Sequence, residues 1–194
     1  GDEPDLGILD DDSLDDDSGT SGWDALDVAL ESLYGEQPPR HYGTILRYAM
    51  GGPDPVDGIS VYTSDSPRPH WHYVTYGFSE LYEKESSNTS LSGWGFELTL
   101  RLARGDEHDP PNWPLRMFQT LGRHIFGEGD PLEVGDVLDG SQAGLLQAQG
   151  SELCALAVTE DPLLQTRNTP NGRLQFLQLV GLTMDELEAI RQWD

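Results

Sequence analysis

Residues 96–102 alternate strictly between apolar and polar side chains, and this pattern constrains the fold more than any other feature of the chain. The alternating residues are Phe96, Glu97, Leu98, Thr99, Leu100, Arg101 and Leu102. A repeat of two residues predicts a β-strand with one face buried against a core. An isolated strand is not stable in water, so the rest of the chain has to supply neighbouring strands for a sheet.

Six other segments are rich in β-branched, aromatic or aliphatic residues and are separated by turn-forming sequences such as GGPDP and SDSPRP. Such runs predict strands joined by turns. The predicted strands are residues 44–48, 58–63, 70–76, 133–138, 153–158 and 174–180.

Three segments instead carry apolar residues at helical spacing, which predicts helices over residues 22–34, 114–127 and 183–193. Pro114 stands where a helix accepts a missing N–H, and Thr183 with Glu186 forms a capping box. Helix, strands, helix, strands and helix in this order predict an α+β domain around a mixed β-sheet. The predicted core is Leu98, Leu100, Phe118, Leu121, Ile125, Leu156, Phe176 and Leu179.

The chain carries 35 acidic and 11 basic residues among 194, a formal net charge of −24. Such a charge opposes binding to nucleic acid or to an anionic membrane surface. Without an apolar run of spanning length or a signal-like start, we expect a cytoplasmic protein. The single cysteine, Cys154, rules out an intramolecular disulfide and is expected in the core.

The acids are concentrated at the start, where residues 1–17 contain nine acids and no base. This composition is typical of a solvated segment rather than of a packed one. We therefore divide the chain into an acidic arm, residues 1–20, and one folded domain, residues 21–194.

His70 and His72 are candidate metal ligands, because alternate residues of a strand point to the same face. A third ligand is not evident nearby, so histidines packed in or near an aromatic core are the favoured interpretation. The sequence also lacks the motifs of serine hydrolases, P-loop proteins and dinucleotide-binding proteins. We expect no cofactor and no metal, and keep a metal-dependent hydrolase using His70 and His72 as the alternative function.

Several motifs in order along the chain carry a resemblance to a known family. They are LYGEQP, GGPDP at residues 51–55, HWHYVTYGFSELY from residue 70, SGWGFELTLRL from residue 92, PNWP from residue 111, TEDP from residue 159 and FLQLVG from residue 176. From Trp23 to Trp193 the chain resembles the Suppressor of fused family, specifically its N-terminal domain. The acidic arm lies outside the resemblance.

The resemblance implies a non-enzymatic domain that binds a protein or an extended peptide. Animal members sequester Gli-type transcription factors and clamp a short peptide between two lobes as an added strand, whereas bacterial members are linked with immunity to secreted toxins. The second lobe is not part of this resemblance, and the oligomeric state is not predicted. The acidic surface suits a basic partner.

The same resemblance implies which residues bind the partner. Positions similar to the family's peptide-contacting acids fall on Asp136 and Glu160, and an aromatic family position falls on His124. Each also has a purely structural explanation, because Asp136 and Glu160 stand in sequences typical of turns and His124 near the end of a helix. The sole lysine, Lys84, against ten arginines indicates a GC-rich bacterial coding sequence.

Overall fold

The structure is a computed structural model, and it describes residues 19–141, 145–146 and 151–193. Most of the acidic arm, residues 1–18, lies outside the described residues. The elements in chain order are α1 Ser21–Tyr34, β1 Arg40–Gly43, a short 3-10 helix Tyr48–Met50, β2 Gly58–Ser64, β3 His70–Tyr76, β4 Leu91–Ala103, α2 Trp113–Glu128, β5 Val137–Asp139, β6 Leu153–Glu160, β7 Arg167–Thr169, β8 Gly172–Thr183 and α3 Met184–Arg191.

Within the described part of the chain, the eight strands form one sheet in the order β1-β2-β3-β4-β8-β6-β5, and β7 pairs with β8. The central pair, β4 and β8, is parallel, and the other strand pairs are antiparallel. The α+β fold with a mixed sheet predicted from the order of elements is therefore confirmed.

The two faces of the sheet are buried by different helices. One face packs on α2, and the other packs on α1 and, near β6, on α3. Seven of the eight predicted core residues lie in the α2 cluster. The eighth, Phe176, is fully buried but faces α1 beside Leu26 and Leu30, because neighbouring residues of β8 point to opposite faces.

β4 differs from the prediction of one buried and one solvated face. Glu97 and Thr99 are as fully buried as Leu98, because α1 and the segment after β6 cover the polar side of the strand. The strand is also longer than the alternating run, and it bulges between Leu91 and Phe96.

The three predicted helices are present, and so is the predicted capping box of α3, where both the Thr183 and Glu186 contacts form. The predicted strand over residues 44–48 is wrong. That segment is a loop leading into the short 3-10 helix, and the strand lies just before it at Arg40–Gly43. Ile45 is fully exposed in this loop, so its β-branched side chain has no sheet surface to pack against.

Candidate functional site

β5 is a three-residue strand at one edge of the sheet, and it leaves the end of β6 uncovered. Val137, Leu138 and Asp139 pair with Ala157, Leu156 and Ala155. The Val158 N–H also donates to the Asp136 carbonyl at 2.9 Å, and the Gly135 N–H donates to the Val158 carbonyl at 2.9 Å. Beyond this point β6 continues to Glu160, and no strand among the described residues pairs with it on that side.

The two acids carried over by resemblance lie together at this edge. Asp136 stands opposite Val158, and Glu160 lies two residues further along β6, so both flank the uncovered end of the strand. The Glu160 side chain is exposed, and that of Asp136 is half-buried. The Asp136 carboxylate accepts a hydrogen bond from the Glu133 N–H at 2.7 Å, which fixes the turn ahead of β5. Their role in binding a partner stays a prediction.

His124 is exposed on α2, four residues before the helix ends at Glu128. Glu160 lies at every second position of β6 with Leu156 and Val158, so its side chain points to the same face of the sheet, the one that packs on α2. His124 and Glu160 are thus placed on the same side of the sheet. Among the described residues, no hydrogen bond or ion pair joins His124 to Asp136 or Glu160.

A polar network that the sequence did not predict is buried on the α1 side of the sheet. Arg101 of β4 contacts both carboxylate oxygens of Asp161, at 2.7 and 3.2 Å. The Thr99 hydroxyl donates to Asp161 Oδ2 at 2.7 Å, and the Leu163 and Leu164 N–H groups donate to Oδ1. Burial alone would raise the pKa of Asp161, but these hydrogen bonds hold the pKa well below its usual range.

His72 extends this network to helix α1. Its Nε2 lies 3.3 Å from Asp161 Oδ2, and its Nδ1 lies 2.6 Å from the Tyr34 hydroxyl. Burial lowers the pKa of His72 to about 4 and raises the pKa of Tyr34 to about 12. At neutral pH the imidazole is therefore uncharged, and the Tyr34 hydroxyl can donate to Nδ1. Nε2 lies close to Asp161 but outside hydrogen-bond geometry.

A second buried carboxylate, Glu97, ties β4 to the segment that follows β3. The pairing of β3 with β4 ends at Val74 and Thr99. Beyond this pair, Glu97 accepts hydrogen bonds from the Gly77 N–H at 2.9 Å, from the Ser79 N–H at 3.0 Å and from the Ser79 hydroxyl at 2.7 Å. Burial raises the pKa of Glu97 to about 7, although these donors partly oppose the shift.

The candidate metal ligands His70 and His72 do not form a metal site in the described structure. The two ring nitrogens of His72 face Tyr34 and Asp161. His70 Nδ1 lies 2.7 Å from the Arg68 carbonyl oxygen. Within the described residues, no three His, Cys, Asp or Glu side chains are placed to hold a metal ion. The alternative of a metal-dependent hydrolase has no support in this geometry.

The sequence did contain a signal for the buried network. Glu97, Thr99 and Arg101 occupy every second position of a strand whose other positions are apolar. This pattern is compatible with a solvated face or with a buried polar face. The apolar face of α1, which includes Leu26 and Leu30, has to pack against one face of the sheet. The presence of this helix therefore favours a buried polar face over a solvated one. Cys154 is only half-buried beside the α3 cluster, less than the core position expected of it.

No helix within the described ranges is both long enough and apolar enough to cross a lipid bilayer. The described structure is an α+β domain with one mixed sheet, buried polar networks on the α1 side and two acids at the β5 edge. The family model "Suppressor of fused protein (SUFU)" matches residues 52–194. The chain belongs to the Suppressor of fused family.

Known relatives and solved structures agree with this assignment. Suppressor of fused homologs of Homo sapiens and Mus musculus are each 38% identical over 174 residues, covering 84% of this chain and 36% of the relative. The chain thus spans about a third of the length of these relatives. A chain of "the Sufu-Fu complex crystal structure" superposes with a TM-score of 0.82 at 34% identity, covering 90% of this chain and 81% of that one. The crystal structure of Drosophila Suppressor of Fused superposes with a TM-score of 0.76 at 35% identity, covering 88% of this chain and 44% of that one.

Proposed function

We propose that this domain is a non-enzymatic binding module that takes up an extended segment of a partner protein along the β5 edge of its sheet. The observation that carries the proposal is the short β5 strand at the edge of the sheet, which leaves the end of β6 without a paired strand beside half-buried Asp136 and exposed Glu160. An unpaired strand edge is a template for another chain, and main-chain hydrogen bonds supply the affinity of such a complex.

The direction of the backbone groups at this edge supports strand addition. In an antiparallel pair, every second residue exchanges hydrogen bonds with the neighbouring strand. Such bonds between β5 and β6 are present on either side of Leu138, at Val158 and at Gly140, so Leu138 is also a hydrogen-bonded residue. The N–H and C=O groups of Val137 and Asp139 consequently point away from β6, toward the open side. An extended partner segment therefore finds two residues of β5 whose backbone groups face it.

The charge of the domain supports a basic partner. Half-buried Asp136 and exposed Glu160 lie beside the edge, and the whole chain has a formal charge of −24. Opposite potentials raise the association rate and select among partners even where they add little net affinity. A toxin or regulatory protein that carries a basic extended segment is the kind of partner that this edge would bind, with His124 at the margin.

The placement of the buried ionisable groups supports a role without catalysis. His72 and Asp161 have no side-chain exposure, and Glu97 is fully buried, so these groups bond to the fold rather than face a substrate. The similarity to a chain of the Sufu–Fu complex supports a protein as the partner. The burial and hydrogen bonding of His72, Asp161 and Glu97 are typical of residues that stabilise the fold.

Selection of binding peptides from a displayed random library, with the whole chain as bait, tests this proposal. The selected peptides should be basic, and their binding should be impaired by Asp136→Arg and by Glu160→Arg. Glu188→Arg is the matched control, because it makes the same change of net charge on α3, which packs on the opposite face of the sheet from the one that Glu160 faces. Peptides that bind the two edge variants as well as they bind Glu188→Arg would overturn the proposed site.

A further inference from the structure

A second surface, distant in sequence from the β5 edge, exposes apolar side chains to solvent. Five of the eleven large apolar residues that are exposed in the described structure fall within residues 42–50. They are Tyr42, Ile45, Leu46, Tyr48 and Met50. Residues 37–53 contain no acid, whereas the whole chain is strongly acidic. Contiguous exposed apolar surface on a soluble domain marks a contact site.

Part of this surface forms a groove of about 450 Å³, here called the Tyr48–Tyr82 groove. Tyr48, Met50 and Arg47 line it together with Tyr82 and Phe126. The Arg47 guanidinium lies 4.1 Å from the centre of the Tyr82 ring, and the Tyr48 and Phe126 rings meet edge to face at 5.3 Å. The groove thus combines aromatic walls with one arginine, and four acids also line it.

The acidic arm enters the folded domain at the rim of this groove. The Ser21 hydroxyl donates to the Tyr82 carbonyl at 3.4 Å, and the Gly22 and Trp23 N–H groups donate to the Leu81 carbonyl at 3.0 and 3.1 Å. Leu81 and Tyr82 both line the groove. The chain that precedes α1 therefore starts next to the exposed apolar surface.

The arm has a composition that fits the groove. Four aliphatic residues, Leu6, Ile8, Leu9 and Leu14, stand among its nine acids. From residue 20 back to Leu14 an extended chain reaches up to about 20 Å, which is enough to place this residue in the groove. We propose that the acidic arm folds back and docks its aliphatic residues in the Tyr48–Tyr82 groove, with its aspartates near Arg47.

The attraction comes mainly from apolar burial rather than from net charge. Asp57, Glu83 and Glu85 also line the groove, and Glu80, which lines it as well, is paired with Lys84 at 2.7 Å. The arm's aspartates are attracted by Arg47 but repelled by the unpaired acids, so high salt should not weaken the docking. Docking would cover Met50 and Tyr48, which are otherwise exposed.

A nitroxide label on the arm tests this docking in the full chain. The label is placed at Ser13→Cys in a Cys154→Ser background, and the reduced sample serves as the reference. The amide signals of residues 47–50 and 82–83 should lose intensity, while those of β5 should not. Met50→Ser should restore the intensities, and Met184→Ser, the matched exposed methionine on α3, should not.

Amide hydrogen exchange gives a second measurement that needs no cysteine variant. Residues 48–50 should exchange faster in a chain that lacks residues 1–18 than in the full chain. Three results would overturn the proposal: label effects spread evenly over the domain, equal exchange rates in both chains, or signal loss that appears only between labelled and unlabelled molecules in a mixed sample. The last result would assign the groove to the arm of a second copy.

Discussion

Asp161 and Arg101 form a two-pronged ion pair across the sheet, with Nη1 2.7 Å from Oδ2 and Nη2 3.2 Å from Oδ1. Arg101 lies on β4 and Asp161 directly follows β6, so the pair spans the intervening strand β8. The Asp161 side chain has no exposure, and that of Arg101 has 18%. The pair therefore connects the two halves of the sheet on the α1 side.

Asp161→Asn should lower the free energy of unfolding by about 3–5 kcal/mol, because it leaves the buried Arg101 charge without its counterion. Urea unfolding at neutral pH measures the change. Glu160→Gln is the matched control, since the neighbouring carboxylate is exposed and should tolerate neutralisation. Equal stabilities for the two variants would show that the ion pair does not hold the strands together.

Glu97 should make stability fall as the pH rises toward neutrality. Its pKa of about 7 in the folded protein lies above the 4.5 of a freely solvated glutamate, so the stabilisation by the protonated form is complete below about pH 4.5 and is lost as the pH rises through 7. The loss is on the order of 3 kcal/mol. His72, whose pKa is lowered to about 4, acts in the opposite direction over part of this range.

Comparison of the wild type with Glu97→Gln separates the two effects. The difference in free energy of unfolding between the two proteins should change from acidic to slightly alkaline pH, since the variant lacks the titrating group. Glu160→Gln should show the same pH profile as the wild type. Parallel profiles for the wild type and Glu97→Gln would contradict the raised pKa.

Leu100→Ala should lower the free energy of unfolding by about 2–5 kcal/mol through lost burial and a residual cavity. Leu100 is 3% exposed in the cluster between the sheet and α2. Leu163→Ala provides the control, because Leu163 is 57% exposed and should be nearly neutral. Thermal melts followed by circular dichroism compare both variants. A melting temperature unchanged by Leu100→Ala would remove this residue from the core.

Much of the fold could be predicted from local patterns, because these patterns reflect local physics. The capping box of Thr183 and Glu186 marked the start of α3, and the alternation around Leu98 marked β4. The burial of the polar side of β4 could not be predicted in the same way. Alternation shows which residues share a face, but a second layer, here α1, decides whether that face meets water.

The candidate site depended on resemblance more than on pattern. Asp136 and Glu160 are ordinary acids in turn-like sequences, and only pairing between β5 and β6 brings them to one edge. Strand pairing between segments distant in sequence is set by the whole fold and has no local signal. Asp161, one residue after Glu160, was the buried structural acid, and the sequence did not distinguish the two.

Charge reversal at the β5 edge should change binding kinetics without changing stability. Asp136→Arg and Glu160→Arg should slow association with a selected basic peptide and reduce the salt dependence of the rate, because Glu160 is exposed and Asp136 is half-buried at the rim. Their melting temperatures should stay near that of the wild type, with the larger decrease for Asp136→Arg, which loses the hydrogen bond from the Glu133 N–H. Surface plasmon resonance at low and high salt measures the rates, and Glu188→Arg should affect them less.

Hydrogen exchange of individual backbone amides, measured with and without a selected peptide, tests the central claim most directly. If a partner strand adds to β5, the Val137 and Asp139 amides should become protected, because these N–H groups point away from β6. The opposite edge of the sheet, β1 at Arg40–Gly43, should exchange as before. Protection at β1 with none at Val137 or Asp139 would contradict strand addition at the β5 edge.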